Sequence, residues 1–187
     1  MRPENRNVRR SWVKHHKKRN YLVLGLVTAL LILIIVAFSV SPPPTGAQIG
    51  QQAPDINLPD INNNNFRLFD KKGTPVLLEF MTTSCRFCTE QAPILSQLYS
   101  RHGSHVVFVS ISVDPARDTA SVLSAYAAAP EHIMPWTWIR DTSGIDQSYG
   151  ITGTPTVFLL DRDSVVKSRF NGLTDLQTLD NGVQAIL

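Results

Sequence analysis

Blocks of hydrophobic residues separated by polar turns predict the order of strands and helices from residue 47 onward. Nearly continuous apolar runs predict buried strands, and apolar residues three or four apart predict helices with one buried face. The predicted strands are residues 56–58, 66–69, 75–81, 106–113, 156–160 and 165–170. The predicted helices are residues 85–101, residues 118–129 with Val122, Leu123 and Tyr126 inward, and a closing helix marked by Leu173, Leu176, Leu179, Val183 and Ile186. This order indicates an α/β domain with a central mixed β-sheet flanked by helices.

The longest apolar run covers residues 21–40, which are 20 residues without charge or proline. A helix of this length spans about 30 Å, the thickness of the hydrocarbon core of a bilayer. Residues 1–20 carry eight Lys or Arg against one Glu, and such clusters favour the cytoplasmic side of a membrane. A cleavable signal peptide is the alternative, with a weak small-residue site at Ala37 and Ser39.

These patterns together predict the organisation of the whole chain. We expect a basic cytoplasmic arm (1–20), a single-pass transmembrane anchor (21–40), a proline-rich linker (41–48) and a folded domain (49–187). The folded domain would lie outside the cytoplasm, on the periplasmic or extracellular face of the cell membrane.

The net charge of the residues after the basic arm differs in sign from that of the whole chain. The whole chain is formally +3, but residues after position 20 carry ten Lys or Arg against fourteen Asp or Glu, which is −4. Domains that bind nucleic acid concentrate positive charge on one surface, so we expect no nucleic-acid partner. Two cysteines exclude a disulfide-rich miniprotein and a four-cysteine zinc site.

Cys85 and Cys88 carry the candidate chemistry. They lie three residues apart, directly after a predicted buried strand and at the start of a predicted helix. Free N–H groups and the positive dipole end at a helix N-terminus stabilise a thiolate. We expect Cys85, at the exposed end, to be the nucleophile. Cys88, one turn inside, would resolve a mixed disulfide by intramolecular attack.

Three other interpretations of this pair remain open. An oxidising compartment favours a structural disulfide, although a two-residue loop constrains little unfolded-chain entropy. A metal site would need further ligands, and the histidines outside the arm are expected to be solvated surface residues: His102, His105 and His132. Two unrelated buried thiols are the third possibility. We favour redox chemistry, with no metal and no cofactor.

Glu79 interrupts the apolar strand six residues before Cys85. A buried carboxylate without a charged partner has a raised pKa, which suits proton exchange with a thiol. A glutamate at the strand end that points to solvent is the alternative.

The chain resembles the thioredoxin superfamily, and within it the membrane-anchored, TlpA/ResA-like (redoxin) thiol–disulfide oxidoreductases. The resemblance rests on motifs in one order: Ile49-Gly50-x-x-Ala53-Pro54-Asp55, residues 75–81 leading into Cys85-x-x-Cys88, Pro93, and Gly150-Ile151-Thr152-Gly153-Thr154-Pro155-Thr156. It implies a thioredoxin-like fold and protein thiols or disulfides as partners.

The resemblance also implies roles for individual residues. Pro155 would be cis and pack against the disulfide, the backbone of Thr154 would hold an extended substrate segment, and Glu79 would assist deprotonation of Cys88. Ser84 departs from the family, which usually has Trp before the first cysteine, and so does the Arg86-Phe87 pair between the cysteines.

Two further resemblances supply alternative functions. Residues 109–119 resemble a strand and loop of Sco-type copper-assembly proteins, which would make the chain a copper(I) chaperone for oxidase assembly. Sco proteins, however, carry Cys-x-x-x-Cys and a distant histidine, and no histidine occurs in residues 133–187 here. Peroxiredoxins share the opening segment, and a peroxidase is the third possibility.

Overall fold

A computed structural model describes residues 25–32 and 47–187. Residues 25–32 are helical (α1), and their side chains are exposed. Within the described ranges, no helix has both the length and the apolar character needed to cross a bilayer. The predicted basic arm, the rest of the predicted anchor and most of the predicted linker lie outside the described residues.

Seven strands and four helices make up the part from residue 47 onward. The strands are β1 (Asn57–Pro59), β2 (Asn65–Arg67), β3 (Val76–Met81), β4 (Val107–Ser112), β5 (Thr137–Arg140), β6 (Thr156–Leu160) and β7 (Val166–Asn171). The helices are α2 (Arg86–His102), α3 (Ala120–Ala127), α4 (Ile145–Ser148) and α5 (Leu176–Gln184), and a 3₁₀ turn covers Leu68–Lys71.

A five-stranded mixed sheet in the order β5-β4-β3-β6-β7 forms the centre. Its middle strand β3 runs parallel to β4 and antiparallel to β6. β1 and β2 form a separate two-stranded antiparallel sheet. This α/β architecture with helices on a mixed sheet confirms the fold class predicted from the sequence.

Alternating side chains divide the core into two layers, one on each face of the sheet. Leu77 and Met81 of β3 pack with buried residues of α2, α3 and α5. Leu78 and Phe80 face the opposite layer, where β1, β2 and the residues around α4 cover the sheet. β3 is buried along its whole length because both faces are covered, which explains its nearly continuous apolar sequence.

One strand was missed in the sequence, and two local predictions were wrong. The segment 135–139, which periodicity did not assign, contains the edge strand β5. Val122 of α3 is exposed rather than inward, whereas Leu123 is fully buried. Leu173 is exposed and precedes α5, which begins at Leu176 with Asp175 as its N-cap. Val122 was assigned to the wrong side because a helix of two turns shows its period only weakly, and Leu173 was assigned to a helix that begins three residues later.

Candidate active site

Cys85 and Cys88 form a disulfide at the N-terminus of α2. Cys85 is the N-cap residue, and its Sγ accepts the backbone N–H of Cys88 at 3.1 Å. Cys88 is fully buried, while Cys85 is partly exposed. One sulfur is therefore accessible from outside and the other is not. Helix N–H groups directed at the accessible sulfur favour its charged form.

The second wall of the site is the loop before β6. The Thr154–Pro155 peptide bond is cis, as the resemblance implied. The carbonyl oxygen of Thr154 lies 3.3 Å from the Cys85 Sγ. Hydrogen bonds fix the loop, because Gly172 N donates to the Pro155 carbonyl and Thr156 Oγ1 donates to the Gly153 carbonyl, both at 2.8 Å. The two segments that the sequence singled out are thus in contact at the sulfur.

Glu79 lies beneath this site, on the sheet face that α2 covers. The alternation of β3 places it on the same side as Leu77 and Met81, which pack in one layer with Cys88. It is 1% exposed, so the alternative of a solvent-facing glutamate is wrong. Burial raises the pKa of Glu79 to about 7, opposed by the hydrogen bond from Ser110, whose Oγ lies 2.6 Å from Oε2. A carboxyl with this pKa is partly protonated at neutral pH.

Asp118 is a buried site residue that the sequence did not single out. Its carboxylate accepts the backbone N–H of Thr83 at 3.0 Å, the Thr83 hydroxyl, and the Ser112 hydroxyl at 2.6 Å. Thr83 lies two residues before Cys85, so these bonds hold the turn that carries the accessible sulfur. In the sequence, Asp118 was only the acidic first residue of a predicted helix; in the structure it directly precedes Thr119, the N-cap of α3.

Gln91 fixes α2 against the segment after β7. Its side chain is fully buried. The side-chain oxygen accepts Thr174 N–H at 2.8 Å, and the side-chain nitrogen donates to the Thr174 carbonyl at 3.1 Å. One amide therefore satisfies both backbone groups of a single residue. A Gln one turn after a cysteine carries no sequence signal for this role.

The two residues between the cysteines lie at the surface. Arg86 forms an ion pair with Glu90 at 3.0 Å, and its side chain is largely exposed. Phe87 is 54% exposed. An exposed i,i+4 ion pair stabilises a helix by only a few tenths of a kcal/mol. This dipeptide therefore contributes mainly to the surface beside the disulfide.

The three histidines occupy different surroundings. His105 is exposed as expected, but His132 is buried with its Nε2 3.0 Å from the Tyr126 carbonyl oxygen. His102 is largely buried, and its Nε2 lies 2.6 Å from the Asp180 carboxylate. The expectation of three solvated histidines was therefore wrong for two of them. In the described ranges, no group of three or more His, Cys, Asp or Glu residues comes together in a way that could hold a metal ion.

Known proteins with similar sequences include thiol–disulfide oxidoreductases. The chain is 26% identical over 148 residues to the thioredoxin-like protein YneN of Bacillus subtilis, covering 75% of this chain and 86% of YneN. It is 25% identical over 177 residues to the thiol-disulfide oxidoreductase ResA of Geobacillus thermodenitrificans, covering 91% of this chain and 98% of ResA.

The fold has close counterparts among solved structures. A provisionally assigned thiol:disulfide interchange protein DsbE from Chlorobium tepidum superposes with a TM-score of 0.66 at 26% identity, covering 75% of this chain and 99% of that protein. The AhpC/TSA family model matches residues 49–169, well over half of the 187 residues. These residues contain the disulfide, Glu79 and the cis-proline loop, and the chain belongs to the AhpC/TSA family.

Proposed function

We propose that this protein is a thiol–disulfide oxidoreductase that exchanges disulfides with protein partners through Cys85. The observation that carries the proposal is the asymmetry of the pair, with an accessible sulfur at the end of α2 and a buried sulfur one turn inside. The names of the relatives support disulfide exchange over copper delivery and peroxide reduction. Protein thiols and disulfides are the substrate class.

In the reductive direction, the Cys85 thiolate attacks one sulfur of a substrate disulfide. A Cys85–substrate disulfide forms, and the other substrate sulfur leaves as a thiolate. The Cys88 thiol then loses its proton, and its sulfur attacks Cys85. The mixed disulfide breaks, the Cys85–Cys88 disulfide closes, and the second substrate sulfur leaves as a thiolate. The protein gives up two electrons, and the same steps in reverse oxidise a dithiol.

Glu79 is proposed to take the proton of Cys88. It lies on the face of the sheet that α2 covers, and its raised pKa keeps it near the midpoint of its titration at neutral pH. A base with a pKa close to the working pH is the most effective proton acceptor. Glu79→Leu is expected to slow release of the substrate from Cys85 without unfolding the domain. An unchanged release rate in this variant would remove Glu79 from the proton transfer.

Thr154 and Pro155 are proposed to hold the substrate chain. The Thr154 carbonyl already lies beside the Cys85 Sγ. A substrate segment that brings its own sulfur to Cys85 must therefore pass along this backbone. Main-chain hydrogen bonds to such a segment would be independent of its side chains, which suits a protein with several clients.

Insulin reduction tests the activity directly. The wild-type chain is expected to accelerate precipitation of the insulin B chain in the presence of dithiothreitol, and Cys85→Ser is expected to abolish the acceleration. Ser84→Ala is a matched control, because it changes the adjacent hydroxyl and leaves both sulfurs in place. No turnover by the wild type, with Cys85→Ser indistinguishable from it, would contradict the proposed function.

We also propose that residues 21–40 anchor the protein in the cell membrane with its catalytic domain outside the cytoplasm. The support comes from the sequence: 20 uncharged residues follow a strongly basic arm. The full chain is expected to stay in the membrane fraction after alkaline carbonate extraction. Protease added outside intact spheroplasts is expected to remove the folded domain. Release of the protein by carbonate would contradict the anchor.

A further inference from the structure

Glu79 is joined to the aromatic layer of the core by a chain of two hydrogen bonds. The Ser110 Oγ lies 2.6 Å from Glu79 Oε2. The Trp136 Nε1 lies 2.9 Å from the same Ser110 oxygen. Ser110 is fully buried on β4, and its Cα lies opposite Glu79 in the parallel β3–β4 ladder. Three side chains from β3, β4 and the segment before β5 therefore form one hydrogen-bonded unit, in which Glu79 and Ser110 are buried and Trp136 is partly buried.

The chemistry of the indole sets the direction of this chain. An indole N–H can only donate, so the Ser110 oxygen accepts from Trp136. Within residues 25–32 and 47–187, the one acceptor in hydrogen-bond reach of the Ser110 O–H is Glu79 Oε2. Ser110 therefore donates to Oε2, and Oε2 is an acceptor whether or not Glu79 is ionised. A neutral carboxyl has one O–H group, so its proton resides on the other oxygen, Oε1.

The Trp136 indole packs against three other aromatic rings. Its centroid lies 5.1 Å from that of Tyr99, 5.4 Å from that of Phe108 and 6.4 Å from that of Trp138, with the two indoles nearly parallel. Such contacts fix the plane of the ring and therefore the direction of its N–H. Ser110 has a rotatable hydroxyl, and the fixed indole leaves it one favourable orientation.

We propose that Ser110, oriented by Trp136, is a positioning residue that keeps Glu79 Oε2 as an acceptor and leaves Oε1 to exchange the proton with Cys88. This inference rests on the proposed function and assigns two further residues to it. In the resolving step, the Cys88 S–H bond breaks, its proton passes to Oε1, and the sulfur keeps the electron pair with which it attacks Cys85. Glu79 later returns the proton to the departing thiolate or to solvent.

The surroundings of Glu79 allow the effect of Ser110 to be isolated. Val157 pairs with Glu79 from β6 and is apolar. From α3, Tyr126 is a titratable neighbour, and burial together with the Glu79 charge raises the pKa of this phenol to about 12, so it stays neutral during the reaction. The Asp118 carboxylate acts on Tyr126 in the same direction. From α2, Cys88 does not titrate while it is in the disulfide.

Three variants of the oxidised full chain test the proposal. Ser110→Ala removes the hydrogen bond that opposes the effect of burial, so the Glu79 midpoint is expected to rise by about one to two pH units. Trp136→Phe removes the ring N–H that orients the Ser110 hydroxyl, so the hydrogen bond to Oε2 is weakened but not lost, and a smaller rise is expected. Ser110→Thr retains the hydroxyl and is expected to return the midpoint toward the wild-type value. Infrared titration of the protonated carboxyl band, assigned by its loss in Glu79→Gln, measures each midpoint.

Ser112→Ala is the matched control. Ser112 lies two residues along the same strand, is equally buried, and donates to Asp118 instead of Glu79. Its removal is expected to leave the Glu79 midpoint unchanged. A midpoint that does not move in Ser110→Ala, or that moves as far in Ser112→Ala, would overturn the proposal.

A kinetic readout links the midpoint to the reaction. The rate at which Cys88 releases substrate from Cys85 is expected to rise with pH as Glu79 ionises, and this rise is expected to move to higher pH in Ser110→Ala. A rate profile that stays in place while the infrared midpoint moves would overturn the role in proton transfer. The infrared titration needs no substrate, so a failure of disulfide exchange itself would be recognised separately.

Discussion

Burial of Glu79 predicts a specific dependence of stability on pH. The pKa of Glu79 is about 7 in the folded chain against 4.5 for an exposed glutamate. Because the folded state holds this proton more tightly, the stabilisation is fully present below pH 4.5 and is lost as pH rises through about 7. The whole shift corresponds to about 3 kcal/mol. Between pH 5 and pH 8, the loss amounts to about 2 to 3 kcal/mol.

Glu79→Gln removes this pH-dependent contribution to the free energy of unfolding, because an amide does not titrate. Urea unfolding of the oxidised wild type and of the variant at half-unit steps from pH 5 to pH 8 gives two curves of unfolding free energy. Their difference cancels the groups that both proteins share, including Asp180, whose pKa is lowered by His102. The wild type is expected to lose about 2 to 3 kcal/mol relative to the variant over this range. Parallel curves would refute the assignment of a raised pKa to a buried Glu79.

Substitutions at three further positions probe the scaffold of the site, with urea unfolding as the measurement. Asp118→Ala leaves both donors of Thr83 without their acceptor, so the free energy of unfolding is expected to fall by about 3 kcal/mol. Asp118→Asn is expected to lower it by less, and equal losses in the two variants would contradict the hydrogen-bond account. Gln91→Leu leaves the backbone of Thr174 unpaired and is expected to cost about 2 kcal/mol, so an unchanged stability would show that water replaces the amide. Gly182→Ala places a Cβ 2.6 Å from the side chain of Leu159, a buried leucine of β6, and is expected to lower the free energy of unfolding by about 1 to 3 kcal/mol. A stabilised variant would show that this core layer can accommodate the methyl group.

The central part of the fold was predictable because its sequence signals are strong. The apolar run before Cys85 and the change to helical spacing after it correspond to β3 and α2. The order of these elements predicted the mixed sheet. Glu79, the charged residue inside the apolar run, was predicted to be a buried carboxylate, and it is buried in β3. These features depend on residues close together in the chain, where periodicity is informative.

The edge of the sheet and the polar contacts behind the disulfide were not predictable in the same way. β5 is a strand of four residues with a single tryptophan, Trp138, and its pairing with β4 is a tertiary contact. Asp118 and Thr83 are 35 residues apart in the chain. The signal for Ser110 was the alternation of serines with apolar residues in β4. The contact of Ser110 with Glu79 depends on the strand register, which the sequence pattern does not predict.

Trapping of a mixed disulfide tests the central claim most directly. Cys88→Ser leaves the accessible sulfur without its resolving partner, so the reduced variant mixed with an oxidised protein substrate is expected to accumulate a covalent adduct at Cys85. Mass spectrometry of the non-reduced mixture identifies the adduct, and Cys85→Ser under the same conditions is expected to form far less. No adduct with Cys88→Ser, or equal amounts with both variants, would contradict a reactive pair in which Cys85 attacks and Cys88 resolves.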